Sequence, residues 1–187
     1  MAGKSHVDAN YRFIAAYQEV NTRIAQRQHA LTLFVTLTVS LLAALVALRS
    51  GNGPDRLPVA WLVLGFPLAS ICLALLNFKA ERTLSNLRNF LSTLERLDNV
   101  HHDLPSYNTD PRWAAGANQA RRFQDYAAAM LAVGANAIGL ATVCRIYPES
   151  IAETPALLGL AVAGAVFSIL ALLAIPRLSY QPLPPSE

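Results

Sequence analysis

Four charge-free apolar runs dominate the sequence and limit what the chain can fold into. They cover residues 30–48, 57–78, 126–144 and 154–176. Each is about as long as the 17–25 residues that an α-helix needs to cross the hydrocarbon layer of a bilayer. With 53% hydrophobic and 14% charged residues, the chain is also too apolar for an ordinary soluble domain of 187 residues. The sequence therefore predicts an all-α integral membrane protein with four transmembrane helices.

We interpret the chain as a single membrane domain, residues 1–187, that contains two antiparallel helical hairpins. A cytoplasmic helix over 8–29 leads into the first span at 30–48, and a Gly/Pro-rich turn sends the chain back through the second span at 57–78. A cytoplasmic helix over 79–98 and a loop over 99–110 follow. The third span and its short cytoplasmic lead-in take 111–145, and Asp110 as N-cap with Pro111 at the first helical position predicts the helix start there. The fourth span takes 154–176, and a Pro-rich tail takes 177–187.

The distribution of basic residues predicts the orientation. Of the fifteen Lys and Arg residues, Arg49, Arg56 and Arg145 lie on one side of the four spans and the others lie on the opposite side. Because cytoplasmic segments carry the excess of Lys and Arg, both termini and the long middle segment should be cytoplasmic. We expect a multi-pass protein of a plasma membrane, and specifically of a bacterial inner membrane.

Two apolar stripes predict that the cytoplasmic helices of the first hairpin pair as a coiled stalk. Each stripe has the heptad-like spacing of three and four residues. One consists of Phe13, Tyr17, Val20 and Ile24, and the other of Ala80, Leu84, Leu87, Leu91 and Leu94. Phe90 and Leu97 flank the second stripe, so they are the candidates for contact with an oligomer or a soluble cytoplasmic partner.

A few polar and small residues inside the spans are candidates for helix packing or for lining a pore. Thr32, Thr36 and Ser40 recur at four-residue spacing in the first span, and Asn136 and Gly139 lie in the third. Small and hydroxyl-bearing residues let helices approach closely and bond across membrane interfaces. Packing is the favoured interpretation, and a pore or a polar ring around an oligomer axis is the alternative.

Basic residues near the ends of the spans are predicted to anchor the helices in the lipid headgroups. Long basic side chains snorkel, with the stem on apolar surface and the charge in water. The candidates are Arg27, Lys79, Arg82, Arg121 and Arg122.

Three further features carry weaker expectations. Pro67 lies well inside the second apolar run and predicts a helix kink. Cys72 and Cys144 differ too much in depth for an internal disulfide and are expected to be buried thiols. Asp98 and His102 have a spacing that metal ligands use, but without further ligands a solvated loop is the favoured interpretation.

These observations favour a non-catalytic protein that needs no cofactor. No phosphate-binding loop, metal-ligand set or nucleophile constellation is visible, and the basic residues are too few for a nucleic-acid surface. No Asp, Glu, Lys, Arg or His lies inside an apolar run, which disfavours a proton- or ion-coupled transporter. We expect an oligomeric membrane scaffold, sensor or effector that contacts lipid, other copies of itself and a soluble cytoplasmic protein. The alternative is an oligomeric ion channel or pore.

Overall fold

The structure is a computed structural model that describes residues 8–50, 59–97 and 107–182. It is all-helical over these residues, with no strand among them. The α-helices are α1 (Ala9–Ala47), α2 (Gly65–Glu95), α3 (Pro111–Ile146), the short α4 (Pro148–Glu153) and α5 (Pro155–Ala174). Three 3₁₀-helices, Leu48–Ser50, Val59–Leu64 and Ile175–Leu178, adjoin the ends of α1, α2 and α5.

Among the described residues, four helices are long and apolar enough to cross a membrane, which agrees with the predicted number. They are Ala9–Ala47, Trp61–Glu95, Pro111–Ile146 and Pro155–Leu178. The first three, at 39, 35 and 36 residues, are much longer than the roughly 20 residues that a bilayer requires. Each therefore has a substantial length outside the hydrocarbon layer.

Local sequence explains where the helices begin. The Asp110 carboxylate accepts a hydrogen bond of 2.9 Å from the backbone N–H of Arg112, and Pro111 occupies the first helical position, as predicted. Asp8 caps α1 in the same way through the N–H of Asn10, at 3.4 Å. Both caps use a short acidic side chain to satisfy a backbone donor that has no partner within the helix.

Pro67, where a kink is predicted, lies near the start of α2, and the kink stays a prediction. α2 begins at Gly65, after the 3₁₀-helix Val59–Leu64, so Pro67 lies in its first turn. A backbone N–H in that turn has no carbonyl partner within the helix, and proline therefore costs little there. The apolar composition of the run did not show where the α-helix starts within it.

The helices pack in a closed order in which α2 contacts α1 and α5, and α3 contacts α5 and, less extensively, α1. The largest buried cluster lies in the middle of the bundle, where Phe34, Leu73, Ala132 and Leu172 bring all four long helices together. A second buried cluster, which we call the apolar end, consists of Leu45, Val63, Phe66, Val143, Leu157 and Ala161.

A third cluster joins the first half of α1 to the last half of α2. Ala16 and Val20 of α1 pack with Leu84 and Leu91 of α2, and Phe13 and Leu87 lie at the edge of this contact. The predicted leucine stripe therefore contributes to a buried seam. The predicted α1 stripe is shifted, because Tyr17 and Ile24 are exposed and Ala16 is buried in their place.

Both cysteines are exposed free thiols, so the expectation that they are buried is wrong. Cys72 and Cys144 lie on surfaces of α2 and α3 that other parts of the described chain leave uncovered. In a bundle of membrane-crossing helices, an apolar side chain gains nothing by turning inward, since lipid is as apolar as the core.

Candidate functional site: a buried charge network between three helices

The candidate site lies where the buried faces of α1, α2 and α3 turn from apolar to charged. Arg27 follows Val20 by seven residues and precedes Phe34 by seven, so it lies on the same buried face of α1. Glu81 occupies the corresponding place on α2, three residues before the buried Leu84. Asp125 lies on the buried face of α3. We call the level of these residues the charged end of the bundle.

The Glu81 carboxylate is the centre of the network and pairs with arginines from two other helices. Its Oε2 accepts from Nη1 of Arg27 at 3.3 Å, and its Oε1 accepts from Nη1 of Arg121 at 3.0 Å. Arg27 also forms an ion pair with Asp125. Three helices are thus joined by one connected set of charge-assisted contacts.

Three of the four ionic groups are almost completely removed from solvent, and the side chain of the fourth, Arg121, is 14% exposed. Arg27 and Asp125 are each 4% exposed, and Glu81 is 1% exposed. Two positive and two negative side chains balance, so the network as a whole carries no net charge. A buried ion pair of this kind is a weak source of net stability, but losing one partner typically costs about 3–5 kcal/mol because the other charge is left uncompensated.

Arg88 lies on α2 about two turns beyond Glu81 and adds a further buried positive charge. It is also buried, and this burial lowers its pKa, which the nearby positive charge of Arg121 lowers further. Tyr107, Glu81 and Tyr180 act in the opposite direction. An arginine remains protonated at neutral pH even so, and Arg88 therefore adds a fixed positive charge to this end of the bundle.

Two of the predicted headgroup anchors are instead members of this network. Arg27 and Arg121 direct their guanidinium groups to Glu81 within the bundle, which corrects the prediction that they snorkel to lipid. The physical reason is that a buried carboxylate on another helix offers a direct ionic partner. Lys79, Arg82 and Arg122 are exposed, as headgroup anchors must be.

Asn136 makes the polar contact in the middle of the bundle. Its Nδ2 donates to the Ser70 hydroxyl at 2.7 Å and to the Ala132 carbonyl at 2.8 Å, and the residue is buried. This is the interhelical hydrogen bond that the packing interpretation predicts. Because Asn136 lies between helices of one chain, the geometry does not favour its facing a path between several chains.

Gly139 lies one turn further along α3 and allows Phe66 to pack directly on the helix. A Cβ atom at this position would lie 2.7 Å from the Phe66 ring. The phenyl ring is 1% exposed and has other core residues behind it. Gly139 is therefore a packing residue of the apolar end.

The strip of Thr32, Thr36 and Ser40 lies on the exposed side of α1. Each hydroxyl donates to the carbonyl four residues earlier, at 2.9–3.2 Å. The strip packs against no other described helix, and its donors are already satisfied without water. Only an assembly of several copies would place this strip along a pore.

A group of hydrogen bonds that the sequence did not indicate lies at the charged end. Tyr180, after α5, is buried, and its hydroxyl donates to the Asn108 carbonyl at 2.9 Å. Its own carbonyl accepts from Nδ2 of Asn118 at 2.6 Å. Glu95, near the end of α2, accepts from the backbone N–H and the side chain of Asn108 at 3.1 and 2.8 Å.

The remaining predicted residues lie apart from the network. Phe90 and Leu97 are 44% and 47% exposed beside the seam between α1 and α2. Asp98 and His102 lie outside the described residues. Within the described ranges, no three potential metal ligands come together.

The charged groups of the network are paired with one another across the helices. Each carboxylate faces a guanidinium, and no nucleophile is bonded to any of the four groups in the part of the chain that the structure describes. Comparison with known proteins finds no matching family, no matching curated protein and no matching solved structure.

Proposed function

We propose that this protein is a non-catalytic membrane scaffold, sensor or effector that presents a cytoplasmic helical stalk to a soluble partner. The observation that carries the proposal is the unused apolar surface on the parts of α1 and α2 beyond the charged end. Ile14 and Tyr17 are 56% and 54% exposed there, and Phe90 on α2 and Leu97 just after it are also exposed. Exposed apolar patches outside the bilayer are typical of protein interaction sites.

The stalk in this proposal is an antiparallel coiled pair formed by the two halves of the first hairpin. The seam of Ala16 and Val20 against Leu84 and Leu91 supports it, because early residues of α1 meet late residues of α2. α1 runs from Ala9 to Ala47 as one helix, so a displacement of the stalk would be transmitted along a continuous rod to the bundle.

The charge network gives the stalk a defined direction. Apolar side chains in a bilayer do not distinguish a neighbouring helix from a lipid tail. Ionic pairs do distinguish them, because Arg27 finds a carboxylate at only one rotation and one depth of α2. The network therefore fixes the rotation at which Phe90 and Leu97 emerge beyond it.

Self-association belongs to the same proposal, and the groove between α1 and α3 is the surface that we assign to it. The groove has a volume of about 360 Å³ and is lined by apolar and small residues that include Val35, Val39, Met130 and Gly134. A Cβ atom on Gly134 would meet nothing within 4 Å, so a helix of a second copy has room to approach there. The expected detergent-solution mass is a multiple of the 20.2 kDa chain.

The experiment that tests the partner surface compares crosslinking at residue 90 with crosslinking at residue 113. A photoreactive amino acid at Phe90 should give a discrete adduct with a soluble protein in intact cells. The same group at Trp113, which is also exposed but lies on α3, serves as the control. Charge substitution by Phe90→Glu together with Leu97→Glu should abolish the adduct formed through a crosslinker at residue 94, with membrane insertion unchanged.

Two results would contradict the proposal. Equal adducts from residues 90 and 113 would show that the surface is not selective. An adduct that survives both charge substitutions would show that Phe90 and Leu97 do not form the contact.

A further inference from the structure

A second feature of the charged end is a basic cleft between α1 and α2 on the outer surface of the bundle. Its volume is about 260 Å³. Arg23, Arg27, His29 and Lys79 line it. Arg27 is paired with Glu81 and Asp125, and Arg23 with Glu19, whereas Lys79 has no ion pair among the described residues. The cleft therefore offers an anion one uncompensated positive charge together with several N–H donors.

The basic cleft continues directly into an apolar groove between the same two helices. Ala30, Leu33 and Leu76 line both. Beyond them the groove has a volume of about 300 Å³ and is lined by aliphatic residues such as Leu37, Leu41 and Leu68. The combined surface is thus charged at one end and hydrocarbon-like at the other.

The length of the groove corresponds to one leaflet of a bilayer. From Ala30 to Leu41 the rise along α1 is about 16 Å. Half of a typical hydrocarbon core is about 15 Å thick. An acyl chain that starts at the basic cleft would therefore lie along the groove as far as the bilayer midplane.

One residue that lines the cleft has a buried donor without an acceptor among the described residues. Arg27 is only 4% exposed. Its Nε–H has no hydrogen-bond partner among the described residues. Arg23 likewise has a buried Nε without a partner, although its terminal nitrogens bond to Glu19 and Gln26. Unsatisfied buried donors of this kind indicate a missing acceptor.

We infer that this surface is a binding site for one anionic phospholipid of the leaflet on the basic side. Its phosphate would lie among Arg23, His29 and Lys79, and one acyl chain would lie in the groove past Leu33 and Leu37. Basic pockets between transmembrane helices on the cytoplasmic side are known to favour anionic headgroups. The site adjoins the charge network through Arg27, so a bound headgroup stabilises the inner packing of α1 against α2.

The test uses the full chain in a mild detergent and measures the thermal unfolding midpoint during titration with lipid. Phosphatidylglycerol should raise the midpoint at lower concentration than phosphatidylcholine, and inorganic phosphate should have no comparable effect. The double variant Arg23→Gln, Lys79→Gln should raise the half-maximal phosphatidylglycerol concentration roughly thirtyfold, at about fivefold for each basic residue near an anionic headgroup. The control variant Arg82→Gln, Arg122→Gln removes two exposed charges that do not line the cleft and should leave the concentration unchanged.

The two native cysteines provide a second readout that does not depend on stability. Cys72 lines the apolar groove, and Cys144 is exposed elsewhere on α3. Phosphatidylglycerol should slow alkylation of Cys72 by a small uncharged maleimide and leave alkylation of Cys144 unchanged. This protection should be lost in the Arg23→Gln, Lys79→Gln variant.

Each alternative outcome would overturn the inference. Equal effects of the two lipids would exclude a headgroup preference, and an effect of inorganic phosphate without protection of Cys72 would indicate a soluble anion instead. An equal rise of the half-maximal phosphatidylglycerol concentration in the cleft variant and the control variant would indicate non-specific attraction between charges. None of these measurements requires the soluble partner, so the inference stands or falls separately from the proposed function.

Discussion

The two ends of the helix bundle hold the same helices together by different physical means. At the apolar end, Leu45, Val63 and Phe66 pack by shape, and one interhelical hydrogen bond, from the Tyr147 hydroxyl to the Leu45 carbonyl at 2.8 Å, accompanies them. At the charged end, Glu81 joins three helices through two arginines. Shape complementarity makes close packing possible, whereas charge complementarity selects one arrangement from many apolar ones.

Removal of the central carboxylate should have the largest effect. Glu81→Gln keeps the size of the side chain but leaves the positive charge of Arg121 without its partner. We expect a loss of about 3–5 kcal/mol in unfolding free energy. Denaturant unfolding in detergent micelles measures it. Glu19→Gln, which breaks the exposed pair with Arg23, is the control and should cost less than about 1 kcal/mol. Equal losses of unfolding free energy in Glu81→Gln and Glu19→Gln would show that the buried network contributes no more than an exposed ion pair.

A paired replacement should show that balance of charge matters more than charge itself. Asp125→Leu alone leaves two arginines facing one carboxylate, and we expect a loss of about 3 kcal/mol or more. The double variant Arg27→Leu, Asp125→Leu leaves the neutral pair of Glu81 and Arg121 and should recover most of that loss. The same unfolding assay gives the coupling energy. If the double variant is as unstable as the sum of the single variants, the network is not one electrostatic unit.

At the apolar end, the most sensitive position should be a glycine. Gly139→Leu places new atoms where the Phe66 ring lies, since even a Cβ atom would approach it to 2.7 Å. Overpacking of this kind costs about 1–3 kcal/mol. Gly116→Leu, at a position of the same helix where a Cβ atom would meet nothing within 4 Å, is the matched control and should leave the unfolding free energy nearly unchanged. A stable Gly139→Leu protein would show that the apolar end tolerates a change of shape.

The smallest effect should come from the exposed cap of α3. The side chain of Arg112 lowers the pKa of Asp110 below its ordinary value of 3.8, and the hydrogen bond from the Arg112 backbone lowers it further. A depressed pKa stabilises the fold above the ordinary value, and this contribution is lost as the pH falls through the lower, folded value. The stability difference between the native protein and Asp110→Asn should therefore shrink as the pH falls below about 4. A difference that does not change with pH would show that the carboxylate charge is irrelevant to the cap.

Composition and spacing were sufficient to predict the helices but not their rotations. The charge-free runs predicted four membrane-crossing helices, and Asp110 with Pro111 predicted the start of α3. The leucine stripe identified the buried face of α2, since Leu84 and Leu91 are both 1% exposed. These features are local, and a local pattern reports the secondary structure and one preferred face.

The charge network could not be predicted because its members are far apart in sequence. Arg27 and Glu81 are separated by 54 residues, and their meeting depends on the depth and rotation of two helices at once. One signal was present: the apolar pattern of α1 skips the turn that contains Arg27 and then resumes. Such a gap is also what a headgroup anchor produces, so the sequence alone does not distinguish an inward arginine from an outward one.

The distance along the chain between Arg27 and Glu81 has a consequence for how the protein enters the membrane. When α1 leaves the ribosome, the carboxylate that neutralises its arginine has not yet been synthesised. Arg27 precedes the first apolar run, 30–48, so its guanidinium can stay at the water-facing edge of the bilayer while α1 inserts. We therefore expect α1 to insert with this guanidinium directed to water, and to direct it to Glu81 and Asp125 only after α2 and α3 arrive. The buried ionic contacts of this chain would then be among the last contacts to form during biogenesis.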